Sequence, residues 1–298
     1  RDALVAVGEQ ARQQRVPGIL GLDQHLAGPR AAPRAQDRGA PPRTAARQRQ
    51  PIREKTMEHH IKGEPGDISR YVLCPGSQSR ARAIADHFEN CVTVSEERGI
   101  MIYSGTYKGV FMTSCGTGMG GPNVGIACEE LGHLGADTFI RVGSCGVFQP
   151  HQQPGSIVVA TGTYRAGGTS LAYLPMPFPA VPTFEVVRAL VDAAARLNMP
   201  VDVGVGIAGD AFYGTLKDDT TSILRDAVAV FIEMESDTLF IIGHVRHWRT
   251  GGIFVSDGAA GEIKPEWGRE QFKQGEARMI EVALEAMLSI AQADQARR

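Results

Sequence analysis

The chain has 298 residues, of which 43% are apolar, enough for one large domain or two smaller ones. Its net charge of −2 is unevenly spread: residues 1–56 contain ten Arg and one Lys against five acids, about +6, which leaves about −8 on the remainder. An acidic remainder argues against a nucleic-acid surface, and no apolar run reaches the ~18–20 residues of a membrane span. Five cysteines without a C-x-x-C spacing are typical of reduced thiols, so we expect a cytoplasmic protein.

Residues 1–56 are predicted to form a disordered extension. They are rich in Arg, Ala, Pro, Gln and Gly and contain no aromatic residue, a composition that does not support a packed core. Ser is absent and Pro is frequent, which fits a transit peptide poorly. The first methionine is Met57, so an over-extended start is the favoured interpretation and a solvated basic tail the alternative. Residues 57–298 are assigned to one domain.

Beyond Met57, short apolar, β-branched runs alternate with helical patterns, which predicts a single α/β domain with a central mixed sheet flanked by helices. Strands are predicted at 71–74, 91–94, 100–103, 110–115, 138–142, 156–160, 201–207, 228–233 and 252–256. Helices are predicted at 79–89, 122–134, 183–197, 219–226, 236–247 and 269–292. The last helix carries a long amphipathic face. In such folds, ligand groups gather where strands end and helices begin.

Two strand ends carry the groups that a free phosphate needs. Residues 71–80 and 139–146 each run from an apolar strand into a glycine turn with an arginine and a hydroxyl. Guanidinium forks and oriented backbone N–H groups are the usual donors to phosphate. Residues 231–236 and 252–258 place acids at two further strand ends. The combination indicates chemistry between an anion and a polar, hydroxylated substrate.

Several motifs in fixed order resemble the nucleoside phosphorylase-I family, which includes the hexameric purine nucleoside phosphorylases and the uridine phosphorylases. Residues 60–67 and 72–80 are similar to the family's opening, and residues 114–122 to its central glycine turn. Residues 139–146, 178–181, 209–213, 232–236 and 255–257 follow in the family's order. The likeness spans about residues 57–293. It implies a phosphorylase-type α/β fold, with inorganic phosphate as co-substrate and neither a metal nor an organic cofactor.

The resemblance assigns a set of residues to the attacking phosphate. These residues are Gly76, Arg80, Arg98, Arg141, Gly143 and Ser144. Arg98 is implied to reach in from a neighbouring subunit, so the expected assembly is a homo-oligomer, a hexamer of three dimers with shared sites. Three arginines suit a dianion, and glycines allow the backbone to approach it closely. Ser77 departs from the family pattern, which usually has Asp there, but removes no phosphate donor.

The ribose side of the implied site consists of Glu235, Met234 and His60. A carboxylate can accept hydrogen bonds from both ribose hydroxyls, and a flexible thioether packs against the sugar face. Glu235 also begins a helical pattern, so an acid at a helix N-terminus is its structural alternative. His60 matches the family histidine that reaches the ribose 5′-hydroxyl across a subunit boundary; a solvated histidine is the alternative.

The implied base pocket consists of Phe212, Glu233, Ser256 and Asp257. Asp257 matches the acid that, in the purine enzymes, interacts with purine N7 and assists departure of the base, which makes it the implied catalytic residue. Glu233 has a structural alternative, because it lies on a strand face expected to be buried. Uridine phosphorylases use a Gln and an Arg shortly after the Phe-Tyr pair, and residues 214–219 contain neither, which favours purines. Arg269 stands near the position of a second base-side Arg in the bacterial purine enzymes, but the loop 258–268 differs.

The resulting prediction is a nucleoside phosphorylase that converts purine nucleosides to free base and (deoxy)ribose 1-phosphate. Uridine phosphorylase is the first alternative. A hydrolytic nucleosidase of the same fold would need no arginine cluster, and a non-catalytic relative would not need all three subsites. Residues 116–121 also satisfy G-x-G-x-x-G, but at least three predicted strands precede them, which disfavours a dinucleotide site.

Overall fold

The computed structural model describes residues 58–213, 219–262 and 264–297, so the prediction for residues 1–56 lies outside the described part of the chain. The strands are β1 (Tyr71–Pro75), β2 (Glu89–Ser95), β3 (Met101–Tyr107), β4 (Val110–Gly116), β5 (Thr138–Val147), β6 (Ile157–Ala166), β7 (Asp202–Gly209), β8 (Phe231–Glu233) and β9 (Arg249–Ala259). The helices are α1 (Gln78–Ala85), α2 (Gly121–His133), α3 (Phe184–Arg196), α4 (Thr220–Asp226), α5 (Ser236–Arg246) and α6 (Gly268–Ala296). The predicted α/β class and every predicted element are confirmed.

A nine-stranded mixed sheet forms the centre of the fold, in the order β2-β3-β4-β1-β5-β8-β7-β6-β9. Strand β1 pairs in parallel with β4 and β5, and β5 pairs in parallel with β9. Because β9 also pairs with β6, strands β5 to β9 close into a barrel-like ring. Closure satisfies backbone groups that would otherwise stand at an open edge.

Helices cover both faces of the sheet. Helices α1, α3 and α6 enclose one apolar core with Leu73 and Ile253, and helices α2 and α5 enclose a second core with Phe139 and Phe254. All four of these side chains are completely buried, and such burial is the main favourable term in folding. Within the described ranges, no helix is long and apolar enough to cross a membrane.

Strand β9 is longer than its pattern predicted, beginning at Arg249 rather than at residue 252. The added part includes Gly251, which the sequence pattern does not mark as a strand residue. A Cβ atom at Gly251 would lie 2.4 Å from Cγ1 of Val186 on α3, so the glycine allows this helix to pack directly on the strand. Helix α1, in contrast, is shorter than predicted and ends at Ala85, because the chain turns there toward β2.

Strand register brings the predicted site segments together. Cys74 of β1 pairs with Arg141 of β5, so the glycine turns that follow these positions are neighbours. Strand β8 is antiparallel to the end of β5, with Gly146 opposite Ile232, so the chain from β8 runs back toward Arg141. Strand β9 runs parallel to β5 and carries Asp257 near its end. Four separate segments therefore converge at one place on the sheet.

Candidate active site

A cavity of about 960 Å³ opens where β1, β5, β8 and β9 meet. That volume falls within the range of small-molecule sites. Nine of the predicted site residues line it: Gly76, Arg80, Arg141, Ser144, Phe212, Glu233, Met234, Glu235 and Asp257. Residues predicted for phosphate, for ribose and for the base thus share one cavity.

Arg141 lines this cavity and is only 4% exposed. Its Nε donates to Glu233 at 3.0 Å, and its Nη2 donates to Glu235. Burial disfavours the guanidinium charge, but the two carboxylates outweigh it and raise the pKa of Arg141. Nη1 has no hydrogen-bond partner, and it is the one buried side-chain nitrogen or oxygen in the described ranges of which this is true.

The turn after β1 faces this guanidinium. A Cβ atom at Gly76 would lie 3.6 Å from Nη2 and 3.7 Å from Nη1 of Arg141, so the backbone of the turn and the guanidinium border the same space. Ser77 caps α1, its Oγ accepting from the backbone N–H of Arg80. The Ser that replaces the usual family Asp therefore performs the capping that an Asp would perform.

Glu233 is engaged by protein donors on both carboxylate oxygens. It accepts from the backbone N–H groups of Glu235 and Ser236, from Oγ of Ser236 at 2.6 Å and from Arg141. These bonds tie the first turn of α5 to the guanidinium. These contacts agree with the alternative that Glu233 has a structural role. They also occupy the lone pairs that hydrogen bonds to a base would need.

Glu235 connects the cavity wall to the central glycine turn. One of its oxygens accepts from Arg141, and the other accepts from the backbone N–H of Gly120 at 2.5 Å. Gly120 has a φ of +92°, a conformation that side chains rarely adopt, so the glycine aims its N–H group at the carboxylate. Burial raises the pKa of Glu235, opposed by Arg141 and assisted by the like charge of Glu233.

Arg80, the second predicted phosphate ligand, is also buried and also paired. Its Nε donates to Glu276 of α6 at 2.5 Å, and its Nη1 donates to the carbonyl of Val142 at 3.2 Å. The two arginines of the cavity therefore face three carboxylates, those of Glu233, Glu235 and Glu276. Without a substrate, this end of the cavity carries no surplus positive charge.

The other end of the cavity is more open. Phe212 is 68% exposed and stands against Tyr213 with ring centroids 4.9 Å apart. Asp257 forms an ion pair with Lys264, which lies on the loop between β9 and α6. Both members of the pair line the cavity. This end thus offers aromatic faces, two acids (Asp257 and Glu262) and one cation, Lys264.

Four predicted site residues do not line the cavity: His60, Arg98, Gly143 and Ser256. Ser256 is completely buried, and its Oγ accepts from the N–H of Gly258 at 3.2 Å. At Gly143, an added Cβ atom would lie 2.6 Å from the ring of Phe254, so the glycine serves the packing of β5 against β9. Gly143 and Ser256 are thus involved in local packing and hydrogen bonding next to Ser144 and Asp257, which do line the cavity.

His60 and Arg98 lie away from the cavity of their own chain. Nδ1 of His60 is 2.6 Å from Glu130, whose pKa is lowered because His60 and nearby N–H groups outweigh the effect of burial. Arg98 is exposed, in a short 3₁₀ turn (Glu97–Gly99), with a φ of +53°. Arg269 is exposed near the start of α6 and does not line the cavity either.

Sequence reasoning missed Lys264, Glu276 and the donor at Gly120. Lys264 and Glu276 lie outside the recognisable motifs, and Gly120 contributes a backbone group that no side-chain pattern records. The alternation of glycines in residues 116–121 was the available signal for the last of these. Within the described ranges, no group of three or more His, Cys, Asp or Glu residues is arranged to hold a metal ion.

Residues 70–292 match the family model of the phosphorylase superfamily. Uridine phosphorylase from Thermococcus kodakarensis is 35% identical over 82% of this chain and 91% of the relative. Guanosine phosphorylase from Halorubrum lacusprofundi is 34% identical over 78% of this chain and 98% of the relative. The crystal structure of uridine phosphorylase from Vibrio fischeri is 29% identical, with a TM-score of 0.73 over 80% of this chain and 100% of that chain.

Proposed function

Because the chain belongs to the phosphorylase superfamily and is a nucleoside phosphorylase, a pentosyltransferase, we propose that its nucleoside substrate is uridine. Two of the three similar proteins reported above are uridine phosphorylases, and the third is a guanosine phosphorylase. The sequence argument for purines depended on residues 214–219, of which 214–218 lie outside the described ranges. Uridine therefore replaces the purine nucleosides as the first candidate.

In the proposed reaction, an oxygen of inorganic phosphate forms a bond to C1′ of the ribose while the bond from C1′ to N1 of uracil breaks. The bonding electron pair leaves with the base, and the products are ribose 1-phosphate and uracil. Positive charge develops on the sugar in the transition state, so anions held around it lower the barrier. Phosphate is the co-substrate, and neither a metal nor an organic cofactor has a step in the reaction.

The unpartnered Nη1 of Arg141 is the observation that carries the proposal of phosphate as co-substrate. A buried guanidinium nitrogen without an acceptor is costly, and an anion that enters the cavity would satisfy it. Glu233 holds Nε and Glu235 holds Nη2, which leaves Nη1 for phosphate. Glu235 is next to the same guanidinium, so phosphate and the ribose hydroxyls would lie side by side, as attack on C1′ requires.

Charge balance supports a third cation, shared between subunits. Arg80 and Arg141 already face three carboxylates, and a phosphate dianion would add two further negative charges. Arg98 is exposed and, among the described residues, does not line the cavity of its own chain. We propose that Arg98 of the partner subunit completes the phosphate site in a homo-oligomer, with a hexamer of three dimers as the form that the family resemblance implies.

Guanosine and other purine nucleosides are the second candidate. The Halorubrum relative is a guanosine phosphorylase, and Asp257 lines the base end of the cavity, where it could contact a purine. A cavity of about 960 Å³ has room for either base.

A substrate panel tests the proposal. Uridine, guanosine, inosine and adenosine are each incubated with the protein, with and without inorganic phosphate, after prolonged dialysis against EDTA. We expect uracil and ribose 1-phosphate from uridine, only when phosphate is present and without loss after EDTA. Release of base at the same rate without phosphate would instead identify a hydrolytic nucleosidase, and no release from any nucleoside would identify a non-catalytic relative.

A further inference from the structure

The base end of the cavity contains one charged pair for which the sequence motifs give no reason. Asp257 lies near the end of β9 and forms an ion pair with Lys264. The side chain of Asp257 is 24% exposed, and that of Lys264 is 55% exposed. An exposed ion pair contributes little to stability, so stability alone is a weak reason for its presence.

The loop between β9 and α6 is shaped so that Lys264 returns to Asp257. Gly258 has a φ of +137° and Gly261 a φ of +78°, so both turns need glycine. Between them, the backbone N–H of Ala260 donates to the carbonyl of Val147 at 2.9 Å and anchors the loop on β5. The ammonium group therefore lies at the base end through its ion pair with Asp257, on a loop whose start is anchored to β5.

Resting on the proposed phosphorylase activity, we propose that Lys264 and Asp257 together select bases in which a ring carbonyl lies beside a ring N–H. The Lys264 ammonium donates to the carbonyl oxygen, and the Asp257 carboxylate accepts from the neighbouring N–H. An adjacent cation and anion form the complement of an adjacent acceptor and donor. Lys264 is then a residue that determines base specificity.

The bases divide into two classes according to whether they present a ring carbonyl beside a ring N–H. Uracil presents O4 beside N3–H, and guanine and hypoxanthine present O6 beside N1–H. Cytosine and adenine present an amino group beside a ring nitrogen with a lone pair, which places a donor against Lys264 and an acceptor against Asp257. A site built to pair with one polar pattern rejects the reversed pattern, because its charged groups then lose their partners.

The same contact assists bond cleavage. When the bond from C1′ to the base breaks, the electron pair spreads over the ring and onto its carbonyl oxygens. A cation placed beside such an oxygen stabilises the charge that develops in the transition state. Lys264 therefore raises kcat as well as the affinity for the base. The proton that finally neutralises uracil comes from water after release.

Substitution of Lys264 tests the proposal with uridine, cytidine, inosine and adenosine at saturating phosphate. The Lys264→Met variant should lower kcat/KM for uridine and inosine by about tenfold or more and change that for cytidine and adenosine by less than about threefold. KM for phosphate should stay the same. Lys264→Arg should retain most activity on uridine, and Lys273→Met, which removes an exposed lysine of α6 outside the cavity, should change nothing.

A second probe examines the carboxylate. The parent should cleave 3-methyluridine, which lacks the N3–H donor, at least about tenfold less efficiently than uridine. The Asp257→Ala variant should lose most of this difference, because no acceptor for N3–H remains.

Two results would overturn the inference. One is an equal loss on all four nucleosides in Lys264→Met together with a lower melting temperature, as expected if the pair only holds the loop. The other is a parent enzyme that prefers cytidine or adenosine while depending on phosphate, which would leave the phosphorylase assignment intact. Failure of the phosphorylase proposal is distinct: no nucleoside would then release its base in response to phosphate.

Discussion

The two ends of the cavity differ in burial and in the elements that build them. At one end, the side chains of Arg141, Glu233 and Glu235 are 4%, 1% and 4% exposed and come from β5 or the segment that begins at β8. At the other end, the side chains of Asp257 and Lys264 are 24% and 55% exposed, and Lys264 comes from a loop. The buried end is tightly paired, whereas the open end is accessible to water.

Under the proposed function, this difference would match the parts of the substrate. Phosphate and ribose are common to every reaction of a nucleoside phosphorylase, and a rigid, buried group of charges suits a constant geometry. Burying three charged side chains is costly, so such a cluster is better explained by function than by stability. The base is the variable part of a nucleoside, and a loop can change its residues without disturbing the sheet.

The largest expected effect is at the buried end. Arg141→Ala should remove a charge-assisted contact to phosphate worth about 2–4 kcal/mol in the transition state, a loss of roughly 30- to 1000-fold in kcat/KM. Steady-state kinetics with varied phosphate measures it.

Arg141→Lys is the matched control for charge. It keeps a cation between Glu233 and Glu235 but lacks the guanidinium fork, so folding should be retained while KM for phosphate rises. Unchanged dependence on phosphate in both variants would remove Arg141 from the phosphate site.

Burial at the same end predicts a pH effect on stability through Asp237 of α5. This side chain is almost completely buried, and burial raises the pKa of Asp237 from 3.8 to about 6. Because the folded-state pKa lies above the unfolded one, Asp237 favours folding most below pH ~4, and this contribution is lost as pH rises through about 6. Relative to Asp237→Asn, the parent should lose about 2 kcal/mol of unfolding free energy between pH 4 and 7.5.

Urea denaturation at pH 4, 5, 6 and 7.5 measures that difference for the parent and the variant. Asn retains an oxygen that can accept from the N–H of Thr238, as Asp237 does at 2.6 Å, but it does not ionise. A difference between the two proteins that is constant across this range would show that Asp237 has an ordinary pKa.

A smaller effect, about tenfold on KM for phosphate, is expected for Arg98→Ala, since exposed charges are less strongly coupled than buried ones. The sharper test is complementation of this variant by Arg141→Ala. If each site combines Arg141 of one subunit with Arg98 of the partner subunit, reassembly of equal amounts should restore about a quarter of the sites of a dimer. Separate sites in each subunit predict no recovery, and a fully active monomer in sedimentation would also exclude shared sites.

The smallest effect is expected at the open end, from the aromatic faces. Phe212→Ala should raise KM for uridine by about fivefold, because an exposed ring contributes roughly 1 kcal/mol of stacking. KM for phosphate should not change. Tyr213→Ala, at a ring that is 89% exposed and also lines the cavity, is a useful comparison. A fall in kcat without a change in KM would argue against stacking on the base.

The fold was largely predictable from the sequence because its elements are strongly patterned. The apolar face of α6 was visible from Phe272 to Ile290, and the helix spans Gly268–Ala296. Boundaries were less predictable where packing decided them: β9 continues through Gly251 because Val186 lies against it, and no local pattern records that neighbour.

The residues that the motifs single out come together in the structure, whereas residues supplied by loops were not foreseen. Arg141, Glu235 and Asp257 all line the cavity. Lys264 and Glu276 were missed, because their partners lie 7 and 196 positions away and only folding brings the pairs together. The pairing of Arg80 and Arg141 with carboxylates could not be predicted either, because a sequence shows residue types but not which charges lie next to each other.

One pair of measurements tests directly whether the buried end binds phosphate and the open end selects the base. KM for phosphate and the ratio of kcat/KM for uridine over cytidine are each determined in Arg141→Lys and in Lys264→Met. Arg141→Lys should raise KM for phosphate and leave the base ratio unchanged, because the proposed contacts of Arg141 are to phosphate and to the sugar side. Lys264→Met should lower the base ratio by about tenfold and leave KM for phosphate unchanged. A change of both quantities in both variants would contradict the proposed separation of the two ends of the cavity.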